Sequence, residues 1–152
     1  MEKQKKYIHY GHSRFKKEVF IKPINQPFCV KPWGGFWASP ADAKWGWKQW
    51  CESENFYTNR LTRSFEFTLS PEAKVLHIRS VEDLNGLPGQ QCDFMNWVCL
   101  DFEKLMEEGY DAVELHLSEE KRSGSFQDGL YYVLYGWDCD SILVMNPDII
   151  VV

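Results

Sequence analysis

The sequence predicts a single α+β domain over residues 1–152, with a strand-rich split-sheet core and two main helices. Three observations predict it. Short apolar or alternating runs recur at 6–10, 64–69, 74–78, 112–117 and 140–145, each too short for a helix and rich in β-formers. Two stretches, beginning at Ser39 and Asp93, open with helix-capping chemistry and continue at helical spacing. Strands and helices alternate in mixed order, with no internal repeat and no low-complexity tract. A chain of this length buries roughly 70% of its unfolded surface, so its core needs no disulfide or metal staple.

Each element follows from local chemistry. Residues 6–10 (KYIHY) form a strand that ends at Gly11. Residues 11–34 carry Pro23, Pro27 and Pro32 and are too interrupted for a regular element. Gly34-Gly35 lead into a brief strand at 36–38. Ser39 then caps a helix with Pro40 in its first turn and Asp42 at its positive end, running to about Cys51 or Glu54. Residues 64–69 (SFEFTL) alternate as a half-buried strand, and 74–78 (KVLHI) form another, followed by a helical turn at 80–84. Residues 85–91 read as a Gly/Pro loop. Asp93 caps a second helix over 94–108 that stops at Gly109, with Trp97, Val98, Phe102, Leu105 and Met106 on its buried side. A strand at 112–117, a polar loop at 118–127, an ambiguous apolar run at 130–134, a strand at 140–145, a turn at 146–148 and a last strand at 149–152 complete the chain. The expectation is about six short strands and two real helices.

Composition narrows the function. The net charge is -5 and the pI about 5.4, with one interrupted basic cluster between Lys3 and Lys17, which disfavours nucleic acid. No segment approaches the ~20 apolar residues of a membrane helix. The polar start MEKQKK has no apolar core behind it, so a cytoplasmic protein is expected. Five cysteines form no CxxC pair; free, reduced, mostly buried thiols are expected and no metal site. Seven Trp, seven Tyr and ten Phe supply core, and also flat surfaces on which a ring-bearing ligand stacks.

Three strand ends concentrate polar and aromatic residues: His9-Tyr10-Gly11, the Gly35–Ser39 run (GFWAS), and Trp137-Asp138-Cys139-Asp140 before the apolar SILVM run. A strand histidine alone is more often structural. Trp45, Trp47 and Trp50 point around a helix, so at least one belongs to the core. A carboxylate heading a buried strand needs either a partner or a function.

In their order along the chain, these motifs resemble the ADP-ribosyltransferase superfamily, in the diphtheria-toxin and poly(ADP-ribose) polymerase branch with its His-Tyr-Glu triad. His9-Tyr10-Gly11 is similar to the branch's His-Gly pair with one residue inserted. Gly35–Ser39 is similar to its Gly-aliphatic-Tyr-Phe-small motif, with Trp37 in place of Tyr. Asp140 and the apolar SILV run stand where Glu heads the late strand, and residues 109–113 (GYDAV) and 146–150 (NPDII) agree with compact bacterial members. The resemblance covers about residues 9–150.

The resemblance implies a mono-ADP-ribosyltransferase that uses NAD as substrate, releases nicotinamide and modifies a protein acceptor, in the manner of a toxin or effector. Asp140 would hold a ribose hydroxyl and stabilise an oxocarbenium-like state, with Asp138 its rival. His9 would fix the ribose hydroxyls, and Trp37 with Trp45 or Trp47 would sandwich the nicotinamide ring. The backbone near Tyr10 and Gly11 would read the carboxamide, and Ser39 lies beside the ring site. Arg14, with Lys16 and Lys17, would meet the diphosphate. Two other outcomes share the same cleft: a non-catalytic module that binds NAD, ADP-ribose or a peptide, and an NAD glycohydrolase.

Overall fold

Strands form where the alternating and β-branched runs lie. The computed structural model describes residues 4–26, 31–92, 97–116, 137 and 139–152. Along them run β1 (Tyr7–Tyr10), β2 (Phe36–Pro40), α1 (Trp47–Glu54), β3 (Ser64–Leu69), β4 (Val75–Ile78), β5 (Gly89–Cys92), β6 (Trp97–Leu100), α2 (Phe102–Glu107), β7 (Ala112–Leu115), β8 (Ser141–Val144) and β9 (Ile150–Val151). Seven strands build one curled sheet in the order β4-β7-β8-β2-β1-β3-β9, and β5 and β6 form a separate ribbon. The β4–β7 pair is parallel and every other pairing is antiparallel. The α+β class with a strand-rich core and two helices is as expected.

The central strands β7 and β8 are buried along their whole length, which explains their nearly continuous apolar runs. Each sheet face carries its own apolar cluster. Val113, Leu115 and Leu143 pack with Phe102, Leu105 and Trp137, whereas Ala112, Ile142 and Val144 pack with Tyr7, Phe67 and Ile149. Truncating a side chain such as Leu143, which is fully buried, costs about 2–5 kcal/mol in such a setting.

Two helix expectations are corrected. Residues 39 and 40 do not start a helix, because β2 continues through Pro40 and pairs Ser39 with Ile8 and Pro40 with Tyr7. The helix begins instead at Trp47 behind Gly46. Ser39 still caps it, across a tertiary contact: its Oγ accepts the Trp47 N–H at 2.9 Å. Gln49 Oε1 accepts the Gly46 N–H at 2.9 Å, completing the first turn.

The expected helix over 94–108 is split. Residues 97–100 pair with residues 89–92 as β6, which also turns the expected 85–91 loop into a strand at its end. The helix proper starts at Phe102, capped by Asp101, whose Oδ1 accepts the Lys104 N–H at 3.0 Å. Phe102 and Leu105 are buried on its inner side as expected, and Gly109 ends it with φ +94°. Asn25 ties the long proline-containing segment to this helix start, donating to Asp101 Oδ1 at 2.7 Å and accepting the Phe102 N–H at 2.9 Å. The segments expected at 118–127 and 130–134, together with Asp93 and Asp138, lie outside the described residues.

Candidate functional site

β1 and β2 stop pairing beyond Ile8 and Ser39, and the site grows from the gap that opens there. His9 fills the gap with a side chain in place of a ladder bond. Its Nδ1 lies 2.6 Å from the Trp37 carbonyl. A carbonyl only accepts, so Nδ1 carries the proton and donates, leaving Nε2 to accept from His12 Nδ1 at 2.9 Å. The ring stacks on Phe36 with centroids 4.3 Å apart. Burial pushes the His9 pKa below its ordinary value; the Trp37 carbonyl opposes that shift and His12 adds to it. His9 is therefore a neutral, oriented imidazole at neutral pH.

Next to it lies a cavity of about 310 Å³, lined by residues of β1, β2, the start of α1, the turn Thr58–Thr62 and the entry to β8. Ile8, His9, Tyr10, Trp37, Ser39, Trp47, Cys139 and Ser141 come from segments singled out in the sequence, while Lys31, Tyr57 and Arg60 join them only through the fold. Each of the two cations lies over an aromatic ring. Lys31 Nζ is 5.3 Å from the Trp37 ring centre, and the Arg60 guanidinium is 4.7 Å from that of Tyr57. Trp37 is held from behind by an edge-on contact with Trp137 at 4.8 Å, and Trp47 is stacked on Trp50 at 5.3 Å. Gly35 sits where β2 enters, at φ +77°, a conformation that favours glycine, and a Cβ there would lie 2.3 Å from Leu143 Cδ1, so the buried Leu143 side chain would have to shift.

No carboxylate is among the described lining residues. Ser141 Oγ–H donates to the Cys139 carbonyl at 2.8 Å, with Cys139 Sγ 3.3 Å away. Burial pushes the Cys139 thiol up to about 11, so it is protonated and a poor nucleophile at neutral pH. The wall as a whole offers stacking faces, two cations and buried hydroxyls, a set that suits a flat-ringed anion.

Four of the expected site residues do not line this cavity. Asp140 sits between two that do, and its N–H donates to the Trp45 carbonyl at 2.8 Å. Trp45 itself packs against the core cluster around Leu143 and Phe102. Gly11 has φ +106° with open space where a Cβ would stand, and its N–H donates to the Arg63 carbonyl at 2.9 Å. Arg14 is exposed on the segment after β1. Arg60 and Tyr57 carry no signature in the sequence. They lie in a polar stretch, and the contacts of the Thr58–Thr62 turn with β1 and α1 bring them to the cavity.

No family model, curated protein or solved structure matches this chain. Among the described residues, no helix is long and apolar enough to cross a membrane.

Proposed function

We propose that this cavity binds a ring-bearing anion of the nucleotide class, with NAD or ADP-ribose as the ligand. The observation that carries this reading is the pairing of Lys31 with Trp37 and Arg60 with Tyr57 on a wall that holds no described carboxylate. A ring inserts between Trp37 and Trp47, sugar hydroxyls meet Ser39, and phosphate oxygens meet the two cations at the mouth. At about 310 Å³ the cavity is near the lower end of small-molecule sites, so one ring and its sugar fill it and the rest of a dinucleotide lies outside.

A second reading is transfer of ADP-ribose from NAD to a protein acceptor, or to water. It is favoured by the position of Asp140 between the two lining residues Cys139 and Ser141. In that reading the carboxylate enters the site by a local shift at the head of β8 and stabilises positive charge on the ribose. Binding without chemistry is the better supported of the two, because the described wall offers no anion to an oxocarbenium-like state.

Titration calorimetry and tryptophan quenching with NAD and ADP-ribose test the binding. Saturable quenching is expected, with Trp37→Ala weakening it by about 1–3 kcal/mol, the range for loss of one stacking face. Absence of saturable binding to either nucleotide would remove the proposal. Nicotinamide release measured with and without cell lysate separates the chemistries. Lysate-dependent release that disappears in Asp140→Ala establishes the transferase, lysate-independent release the glycohydrolase, and binding without release the module.

A further inference from the structure

On the opposite side of the sheet, three donor side chains converge that the nucleotide cavity does not use. Alternation along β7 puts Glu114 and His116 on one face, and the parallel register sets His77 of β4 beside Glu114. His77 Nδ1 and His116 Nε2 face each other at 2.9 Å. His77 Nδ1 is 3.9 Å from Glu114 Oε1, and His116 Nε2 is 3.5 Å from Oε2. Tetrahedral coordination with bonds of about 2.0–2.1 Å sets donors about 3.4 Å apart. The two imidazoles face different oxygens of Glu114; with one donor atom taken from each residue, all three lie within 4.8 Å of one another, so side-chain rotations that draw them inward by about an ångström would close the set around an ion.

We propose that His77, Glu114 and His116 form a binding site for a divalent transition metal of the zinc class. Two imidazoles and one carboxylate are the donor set such an ion takes, and three protein ligands leave a fourth position for water or a ligand. His77 keeps 35% of its side-chain surface exposed, against 11% for His116 and none for Glu114, so the route in and the open position lie on the His77 side. The supporting shell is present. Tyr7 O–H donates to Glu114 Oε1 at 2.6 Å and orients the carboxylate from the core. Lys5 Nζ, 2.5 Å from Oε2, is the competing cation. Its side chain is 43% exposed, so it swings into solvent and leaves Oε2 to the metal. Lys5 thus sets the affinity, holding the carboxylate when metal is scarce and yielding when it is plentiful. This site is independent of the nucleotide cavity.

The test is titration of the protein with Zn²⁺ by calorimetry and with Co²⁺ by visible absorption. One ion per chain is expected, with a Co²⁺ spectrum of nitrogen and oxygen donors and no thiolate charge-transfer band. His77→Gln and His116→Gln should each weaken binding by more than about 100-fold, the upper end of what outer-shell changes cost, and Tyr7→Phe by about 10-fold. Lys5→Met should tighten binding, and Zn²⁺ should raise the melting temperature of the wild type but not of the histidine variants. Circular dichroism confirms that the variants are folded. The proposal is overturned by absence of one-to-one binding to the wild type, by equal binding to a folded His77→Gln/His116→Gln double variant, or by a thiolate-type Co²⁺ spectrum.

Discussion

The two faces of the sheet handle their polar groups in opposite ways. On the face that Trp37 shares with Leu143, polar groups collect around a cavity, and the cations Lys31 and Arg60 rest on aromatic rings at its wall. On the face that Glu114 shares with Ile142, the buried carboxylate is closed in by Lys5 and Tyr7, with His77 and His116 converging on it. One face presents cations and ring surfaces to an incoming anion. The other surrounds its own anion with donors. Both belong to one sheet, because alternation sends neighbouring residues of a strand to opposite sides.

If this contrast holds, changes on the Glu114 face should move stability and leave cavity binding alone. Tyr7→Phe has the largest expected effect. It removes a hydrogen bond to a fully buried carboxylate and should cost about 1.5–3 kcal/mol, read from the urea midpoint. Burial, with the charge of Glu114, pushes the Tyr7 phenol well above its ordinary value, so in the wild type it remains the donor throughout the working pH range. Weakened nucleotide binding in Tyr7→Phe at unchanged fold would show that the faces are coupled and would break the contrast.

Ser39→Ala is expected to cost about 1 kcal/mol, because it deletes the cap on the Trp47 N–H while leaving β2 paired. Loss of this cavity residue should register in thermal melting as well as in ligand affinity. A melting temperature equal to the wild type would mean that α1 is held by its packing alone.

The smallest expected effect is a pH dependence from His9. Its folded pKa is lowered, so the neutral form is favoured in the fold and protons bind more readily to the unfolded chain. The stability His9 contributes is complete above the ordinary imidazole pKa of about 6.5 and is lost as pH falls through that value towards the folded one. His77 and His116 are shifted in the same direction by burial. The difference between wild type and His9→Gln therefore isolates His9, and the variant should show a shallower decline in stability between neutral and mildly acidic pH. Parallel curves for the two proteins would mean that His9 binds its proton equally well in the folded and the unfolded chain.

Much of the site was legible because its residues sit at the ends of recognisable strands. His9, Tyr10, Trp37, Ser39 and Trp47 stand out through neighbouring glycines, aromatics and helix signals, and the fold gathers them around one cavity. Asp140 stood out equally and is not on that wall; its neighbours Cys139 and Ser141 are. In a strand, a displacement of one residue reverses the side chain's direction, and the position of a motif along the sequence does not resolve it. The Glu114 cluster offered a weaker signal. Glu and His two apart in a strand share a face, but nothing in the chain says that residues 75–78 lie parallel to them in register with His77 opposite Glu114.

The same division runs through the whole molecule. Short-range chemistry was enough to assign the α+β class, strands β1, β3, β4, β7 and β8 to within a residue or two, and the helix stop at Gly109, since alternation, branching and glycine freedom act over a few residues. It was not enough where two local preferences competed. Ser39-Pro40 has the chemistry of a helix start and became strand because β1 pairs with it. Residues 97–100 fit a helical stripe and became strand because 89–92 lay alongside. Hydrogen bonds between distant segments outweigh propensities of a few tenths of a kcal/mol per residue, and the partners of those bonds are set by how the whole chain packs.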